Sequence, residues 1–476
     1  MLAVLATGAA AVLSGPTTSN THGLPAATPA DAAPLPDVGA LLAAARGAPP
    51  VLCALAARAV RGGGWGRGWG GADAPAPPLG GARPTVFDDD DDESDRLPDA
   101  ARDRLFDGLA SDDACVRELS ARLLGRRRDP GVVAPLTARL NAPSAALRAA
   151  AAMSLGLAAP ASAVDPLVRA LPDASPDVRA NAAWALGRIR DGRSLAALVA
   201  HVGDDQAIVR EAVVEAVGHV DSASTAALLA RVLRQDPAPN VRRVAAWALG
   251  QGRARREDAA QPAAPVVQTL AEALAEALAR DADAGVREMA AWALGERGRR
   301  GGSAAAALVT ALRGDVSDVV RETAAWALGE SEDRGSAGAV DALGSAAGGD
   351  RSARVRGSAA WALGQLGRRT APPGLLRAVR DDDADVRLKA AWALGEVEDP
   401  AAQPAVQAAL ARETDPNARR ALVRALVQSG GRSEQALAGL LGSGDPRVRE
   451  AAVRGLVGRD AFDPWPWPWP RPRPFP

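Results

Sequence analysis

The sequence predicts an all-α protein built as a solenoid of about eleven two-helix repeats, with disordered tails at both ends. Three observations support this fold class. The hexapeptide AAWALG occurs six times, equivalent segments recur every 30 to 35 residues with one longer interval of 45, and capping residues mark a helix in most copies. A repeat of this period is typical of solenoids, in which each unit buries its apolar face against its neighbours.

The repeats align on the tryptophan of AAWALG and extend beyond it in both directions. Eleven units are readable between residues 100 and 460, and the longest interval holds an insertion around QGRARREDAAQPAAP. We expect two helices in each unit, the first exemplified by residues 163–171. The positions equivalent to the tryptophan are Arg122, Met153, Trp184, Glu215, Trp247, Trp292, Trp326, Trp361, Trp392, Arg424 and Arg454.

The second helix of each unit is the better marked, as the unit around the first AAWALG shows. Ser175 stands where an N-cap is expected, and Pro176 follows at the first helical position, where a missing N–H costs little. Val178 and Leu186 fall on one apolar stripe. Gly187 is expected to end the helix in the left-handed conformation.

Two charged positions are more regular still. An arginine lies five residues before the tryptophan position in all eleven units, and an aspartate lies six residues before that arginine in seven consecutive units. The carboxylate is expected to accept hydrogen bonds from backbone amides and from a guanidinium in the same or the adjacent unit. The predicted ladder residues are Asp173, Arg179, Asp204, Arg210, Asp236, Arg242, Asp281, Arg287, Asp315, Arg321, Asp350, Arg356, Asp381 and Arg387.

The pattern D-x-x-V-R-x-x-A-A-x-A-L-G resembles the HEAT repeat, and its wording is similar to the bilin-lyase (PBS lyase) type of HEAT-like repeat. The resemblance covers about three quarters of the chain. It implies a right-handed solenoid whose second helices line the concave surface. It implies little about activity, because this repeat serves many functions.

The tryptophans of the repeat are expected on the opposite side of the second helix from its apolar stripe, since a helix turns by about 100° per residue. They would form a stripe along the inner groove, interrupted once by Glu215. One hypothesis is that each indole lies flat against the next second helix. The other is that a partly exposed aromatic ladder binds an extended ligand. The candidate residues are Trp184, Trp247, Trp292, Trp326, Trp361 and Trp392.

Composition narrows the function further. The net charge of −1 argues against a nucleic-acid surface, which needs a basic footprint. Three histidines, His22, His201 and His219, are too scattered for a metal cluster, and no His-Glu pair of the deoxyhypusine hydroxylase type occurs. No P-loop, G-x-S-x-G or HExxH motif is present. We therefore expect no cofactor, no metal site and no catalytic residues.

The N-terminal region divides by composition into four segments. Residues 1–15 are apolar and could be a signal or a membrane remnant, and residues 16–35 read as a linker. Residues 36–61 predict a short helical pair, and residues 62–99 a Gly-rich and acidic disordered linker. An exported or membrane-associated location is favoured over a cytoplasmic one.

The two cysteines do not identify the compartment. Cys53 and Cys115 both fall in predicted helices. We expect two buried thiols, and a disulfide between these distant segments is the alternative.

The C-terminal tail, residues 461–476, ends in WPWPWPRPRPFP. Alternating prolines favour polyproline II. The tail could be unstructured, could contact a membrane surface, or could dock onto this chain or a partner. The candidate contact residues are Trp465, Trp467, Trp469, Arg471 and Arg473.

The sequence therefore favours a monomeric, non-enzymatic scaffold that binds a protein or an extended peptide along its concave, Trp-lined surface. A subunit or relative of a bilin-lyase-type enzyme is one alternative. A membrane-surface adaptor attached through the C-terminal tail is another.

Overall fold

The computed structural model of the chain describes residues 38–49, 53, 97–126, 129–220, 225–251, 264–298, 305–330 and 337–428, with 441, 442, 444, 446, 449, 452 and 453. The predictions for residues 1–35, for most of the 62–99 linker and of the insertion, and for the C-terminal tail lie outside these residues. Most of the eleventh predicted repeat does as well.

Twenty-one α-helices are described within these ranges: α1 (Val38–Ala45) and ten consecutive pairs. The first helices of the pairs are α2 (Asp99–Leu109), α4 (Pro130–Arg139), α6 (Val164–Ala170), α8 (Leu195–Ala200), α10 (Thr225–Gln235), α12 (Ala264–Arg280), α14 (Ala305–Gly314), α16 (Ala337–Gly349), α18 (Pro373–Ala378) and α20 (Gln403–Leu410). The second helices are α3 (Ala114–Arg126), α5 (Ala145–Ala158), α7 (Pro176–Ile189), α9 (Ala207–Val220), α11 (Pro239–Gln251), α13 (Ala284–Gly298), α15 (Asp318–Glu330), α17 (Ala353–Gln365), α19 (Ala384–Val397) and α21 (Pro416–Gln428). Short 3₁₀ turns precede α6, α8 and α20, at Ala161–Ala163, Gly192–Ser194 and Pro400–Ala402.

The two helices of each pair enclose a core that continues from repeat to repeat. In α7 the predicted apolar stripe is fully buried, and Leu167 of α6 packs into the same core. Among the described residues, the main contacts of each helix are with its partner and with the adjacent repeats. The structure confirms the predicted all-α solenoid.

The second helices form the inner layer of the solenoid. Consecutive second helices contact each other along their length, whereas consecutive first helices contact each other much less. Two stacked layers with unequal spacing curve toward the more tightly spaced one. The exposed face of the second helices, called the inner surface below, is therefore the concave side.

The glycine of AAWALG has a different role from the one predicted. Gly187 lies inside α7, and the residue that ends this helix in the left-handed conformation is Arg190, with φ 57°. A Cβ on Gly187 would lie 2.7 Å from the Cα of Ala216 on α9. Glycine is needed here because it lets two second helices approach closely, so the C-cap interpretation was wrong.

The predicted N-cap residues lie at the start of the second helices, but not all of them make the capping hydrogen bond. Ser175 has the extended backbone of an N-cap, yet its side chain makes no capping hydrogen bond. Asp383 at the equivalent position accepts from the backbone amides of Asp385 and Val386. In the repeat of Ser175, Oδ1 of Asp173 accepts from the Ser175 amide instead, at 2.8 Å. The preceding aspartate therefore orders this turn.

The N-terminal segment is fastened to the first repeat by a disulfide. Cys53 and Cys115 are bonded, with their Cα atoms 5.6 Å apart. Leu42 of α1 packs against the same buried cluster, and the Gly47 amide donates to Asp113 Oδ2 at 2.7 Å. The expectation of two free thiols was wrong, because packing of α1 on α3 brings these distant cysteines together.

Candidate functional site

The ladder arginines and carboxylates pair between successive repeats. In each pair the arginine Nε lies 2.6 to 2.8 Å from the carboxylate of the following repeat. The pairs are Arg148–Asp173, Arg179–Asp204, Arg210–Asp236, Arg242–Asp281, Arg287–Asp315, Arg321–Asp350, Arg356–Asp381 and Arg387–Glu413. A glutamate thus replaces aspartate in the last pair, which the predicted aspartate series did not include.

Each ladder arginine also binds the backbone of its own repeat. In Arg179 the Nε and Nη2 atoms donate to Asp204, while Nη1 donates to the carbonyl oxygen of Asp173 at 3.0 Å. The same hydrogen-bond pattern recurs from Arg210 to Arg387. The guanidinium therefore joins the turn of one repeat to the turn of the next.

Six of the ladder carboxylates have a lowered pKa, which favours their charged form. The hydrogen bond from Arg148 lowers the pKa of Asp173 from its ordinary value. For Asp281 and Asp350, burial is the largest influence and acts to raise the pKa, but hydrogen bonds from the ladder arginine and from a backbone amide lower it overall. Since every group in the described pairs is used between repeats, the ladder is a structural feature.

The inner surface is a single stripe of each second helix. In α11 and α13 the residues that are not fully buried recur at four positions: seven and four residues before the tryptophan, the tryptophan itself, and four residues after it. The other residues of these helices that are not fully buried are the ladder arginine and residues near the helix ends. These positions are one turn apart and face the same way. In these two helices the inner surface is therefore formed by residues at four positions of the repeat.

The six candidate tryptophans all pack against the glycine of the preceding repeat. The six-membered ring of Trp292 approaches Gly250, and that of Trp326 approaches Gly295 in the same way. The indole thus lies against the preceding second helix, whereas the hypothesis placed it against the next one. The contact exists because glycine leaves room beside the backbone of the preceding helix.

Exposure divides the tryptophans into two groups. Trp326 and Trp361 are 2% exposed and Trp392 is 4% exposed, so these three indoles offer no open face to a ligand. The hypothesis of a partly exposed aromatic ladder therefore does not hold at these three positions. Trp184, Trp247 and Trp292 are half-buried and retain part of their surface.

Two of the half-buried indoles have polar neighbours on the inner surface. The Arg188 guanidinium lies 5.7 Å from the ring centre of Trp184. His219 meets Trp247 edge-on, with ring centres 5.1 Å apart, and its Nε2 lies 3.5 Å from Oε1 of Glu215. Glu215, which interrupts the tryptophan series, is thus buried beside His219.

Carboxylates dominate the centre of the inner surface, on α13 and α15. Glu288 and Glu322 occupy equivalent positions, four residues before Trp292 and Trp326. Burial raises the pKa of both, and repulsion from Glu322 raises that of Glu288 further. Oε2 of Glu322 lies 3.5 Å from Nε of Arg354, the one ion pair it forms with a described residue.

Sequence reasoning missed this central group. Arg243, Glu288 and Glu322 all stand four residues before the tryptophan position, where the other repeats carry varied residues such as Ala180 and Leu388. An alignment of the repeats by position contains that signal. The signal lies in a variable column of the repeat, whereas the invariant columns build the fold.

Other predicted site features can be placed only in part. The tail residues Trp465, Trp467, Trp469, Arg471 and Arg473 lie outside the described residues. Within the described ranges, no group of three or more His, Cys, Asp or Glu side chains is arranged to hold a metal ion. No described helix is both long enough and apolar enough to span a membrane.

Comparison with known structures gives the fold without a function. The structure in which Kap95p binds RanGDP matches with a TM-score of 0.53 at 13% identity, over 75% of this chain and 56% of the other. An engineered protein matches with a TM-score of 0.38 at 20% identity, over 75% of this chain and 98% of its own. The CpcE–CpcF phycocyanin lyase complex from Nostoc sp. matches with a TM-score of 0.32 at 24% identity, over 55% of this chain and 97% of the other.

Sequence comparison gives the family. No curated protein matches this chain. The family model described as HEAT repeats matches seven overlapping stretches, at residues 133–218, 202–269, 226–329, 271–363, 305–386, 340–426 and 372–457. Together these stretches cover more than half of the chain, and they coincide with the paired helices and their ladder. The chain therefore belongs to the HEAT-repeat family.

Proposed function

We propose that the chain is a non-enzymatic scaffold that binds a protein, or an extended segment of one, along its inner surface. One observation carries the proposal: the core and the ladder hold the repeats together, while the inner surface leaves charged side chains and parts of three aromatic rings accessible. Glu288, Glu322 and the half-buried Trp184, Trp247 and Trp292 are the main examples. Aromatic and charged groups of this kind contribute most to many protein interfaces.

The size of the surface supports an extended partner. Ten consecutive second helices contribute to it, and neighbouring helices are spaced by about 8–10 Å. An extended segment lying across several helices would contact one group of inner side chains per repeat. The proposal assigns no catalytic step to the chain, and a single copy suffices for it.

Site-specific photo-crosslinking tests this proposal. A photoreactive residue at Asn240, exposed on the inner surface of α11, is compared with one at Arg231, exposed on α10 of the same repeat. In extract of the native organism, Asn240 should crosslink to a defined protein and Arg231 should not. Equal crosslinking from both positions, or none from Asn240, would contradict binding along the inner surface.

The two alternatives are separated by simple observations. The alternative of a bilin-lyase-type function is supported by the sequence of the repeat. It requires that this chain, together with a partner subunit, transfers a bilin. Attachment to a membrane rests on residues 463–476, and it requires that removing them abolishes co-sedimentation with liposomes. If either result is obtained, the scaffold proposal must be revised.

A further inference from the structure

The centre of the inner surface is held in an electrostatically unfavourable state. Glu288 forms no hydrogen bond or ion pair with any described residue, although it is half-buried. The Glu322 side chain is only 15% exposed and has the single 3.5 Å contact with Arg354. Burying a carboxylate without partners costs free energy, and two such groups on adjacent helices also repel each other.

The surrounding charges do not remove this cost. Arg354 is 61% exposed and divides its contacts between Glu322 and Asp318, so it is easily displaced. Lys389 is paired with Asp385. The inner stripes of α13 and α15 carry no basic side chain of their own. The two glutamates therefore offer acceptor positions that this part of the chain leaves open.

Arg243 adds an unused donor beside Glu288. Its Nε and Nη2 atoms are shielded from solvent and have no hydrogen-bond partner among the described residues. Its side chain extends toward α13, with Cδ 3.7 Å from where a Cβ of Gly285 would lie. Its charge acts to lower the pKa of Glu288, but burial and repulsion from Glu322 outweigh it and raise that pKa overall.

A second set of groups without hydrogen-bond partners lies on α15, the helix that carries Glu322. The Trp326 Nε1 and Thr323 Oγ1 atoms are buried without a hydrogen-bond partner within the described ranges, and both residues are at most 2% exposed. They stand on α15 one and four residues after Glu322. Both atoms are enclosed by the packing around α15 and lie out of reach of a ligand, so the open acceptor positions of this region are those of the two carboxylates.

We infer that Glu288 and Glu322 form the recognition site for an arginine-containing, extended segment of the partner. This inference rests on the proposed function. A guanidinium supplies the donors that both carboxylates lack, and the half-buried ring of Trp292 provides a face for its planar group. Two arginines three residues apart in a polyproline II segment are separated by about 9 Å, close to the spacing of packed helices of about 8–10 Å.

The chain's own tail is a less suitable occupant. Arg471 and Arg473 are two residues apart, which corresponds to about 6 Å in polyproline II. This is shorter than the distance between neighbouring helices. A segment of another protein with the longer arginine spacing fits the two glutamates better.

Peptide binding to the full-length chain tests the inference. The probe is a fluorescein-labelled Gly-Ala-Pro-Arg-Ala-Pro-Arg-Ala-Pro-Gly peptide, and the comparison peptide has glutamate in place of both arginines. Fluorescence anisotropy should show binding of the arginine peptide that weakens with added salt, and at least tenfold weaker binding of the glutamate peptide. Equal affinity for the two peptides would overturn the inference.

Matched variants locate the binding. Glu288→Gln combined with Glu322→Gln should weaken binding of the arginine peptide at least tenfold. Glu118→Gln, at the equivalent position of α3 and paired with Arg122, should leave it unchanged. The double variant should be as stable as the wild type or more stable at neutral pH, because it loses two unfavourable charges. Unchanged binding in the double variant would contradict the site.

Two further outcomes separate the possible failures. If Arg471→Gln with Arg473→Gln raises the affinity for the arginine peptide tenfold, the chain's own tail occupies the site and a partner segment does not. If Asn240 crosslinks to a partner while the arginine peptide does not bind, the scaffold function stands and this inference is wrong. If Asn240 does not crosslink, the proposed function fails first.

Discussion

Replacing Gly187 by alanine should force α7 and α9 apart. A Cβ there would lie 2.7 Å from the Cα of Ala216 and 2.9 Å from its Cβ. Neither atom belongs to a flexible side chain, so relief requires movement of a whole helix. Overpacking of this kind costs up to about 3 kcal/mol. Alanine regains about 1 kcal/mol of helix propensity, which leaves an expected net loss of about 2 kcal/mol.

Urea unfolding followed by far-UV circular dichroism measures this loss. The matched control is Gly338→Ala in the first turn of α16, where an added Cβ meets nothing within 4 Å. The control should unfold at the same urea concentration as the wild type or a higher one, and Gly187→Ala at a lower one. A Gly187→Ala variant as stable as the control would refute the close approach of the two helices.

Gly187→Asn separates the packing role from the predicted C-cap role. Asparagine tolerates the left-handed conformation, so a C-cap would accept it with little loss. A close helix contact has no space for the larger side chain. We therefore expect Gly187→Asn to be at least as unstable as Gly187→Ala, and a near-neutral effect would restore the C-cap interpretation.

Two further predictions concern the disulfide and the ladder. Cys53→Ser should lower the free energy of unfolding of the N-terminal part by about 4 kcal/mol, since the disulfide with Cys115 spans a sequence separation of 62 residues; thermal unfolding with and without reductant checks this, and a wild type indifferent to reductant would contradict it. Asp173→Asn should cost about 2–3 kcal/mol at neutral pH, because it breaks a charged hydrogen bond with Arg148. Folding lowers the pKa of Asp173, so its contribution to stability is present above the unfolded-state pKa and is lost as the pH falls through the folded-state pKa. The Asp173→Asn variant should therefore lose less stability than the wild type on acidification. Parallel profiles of unfolding free energy against pH for the two proteins would argue against the ladder bond.

The repeat pattern was sufficient to predict the fold. Period, cap positions and the alternation of apolar and polar residues are local properties, and most of the ten described repeats show them independently. An irregular residue in one repeat does not obscure the pattern, because the other repeats carry the regular residue at that position. The all-α solenoid and the approximate boundaries of its second helices follow from that redundancy.

The candidate site was harder to predict because the solvent exposure of each side chain depends on the neighbouring side chains that cover it. A helical projection places Trp184 and Trp361 at the same angle, yet the first is half-buried and the second is 2% exposed. The difference comes from neighbouring repeats, which a projection of one helix does not include. The central glutamates were missed for a related reason, since their cost arises from burial and from each other.

The sequence by itself determined the solenoid, the two-helix repeat and the regular positions of Arg179 and its equivalents, because these follow from spacing along one chain. Only the tertiary structure decided that Gly187 serves helix contact, that Cys53 bonds to Cys115, and that Glu288 has no described partner. Each of these depends on distances between segments far apart in sequence. Such distances are set by the packing of one repeat on the next, and a pattern read along a single helix does not contain them.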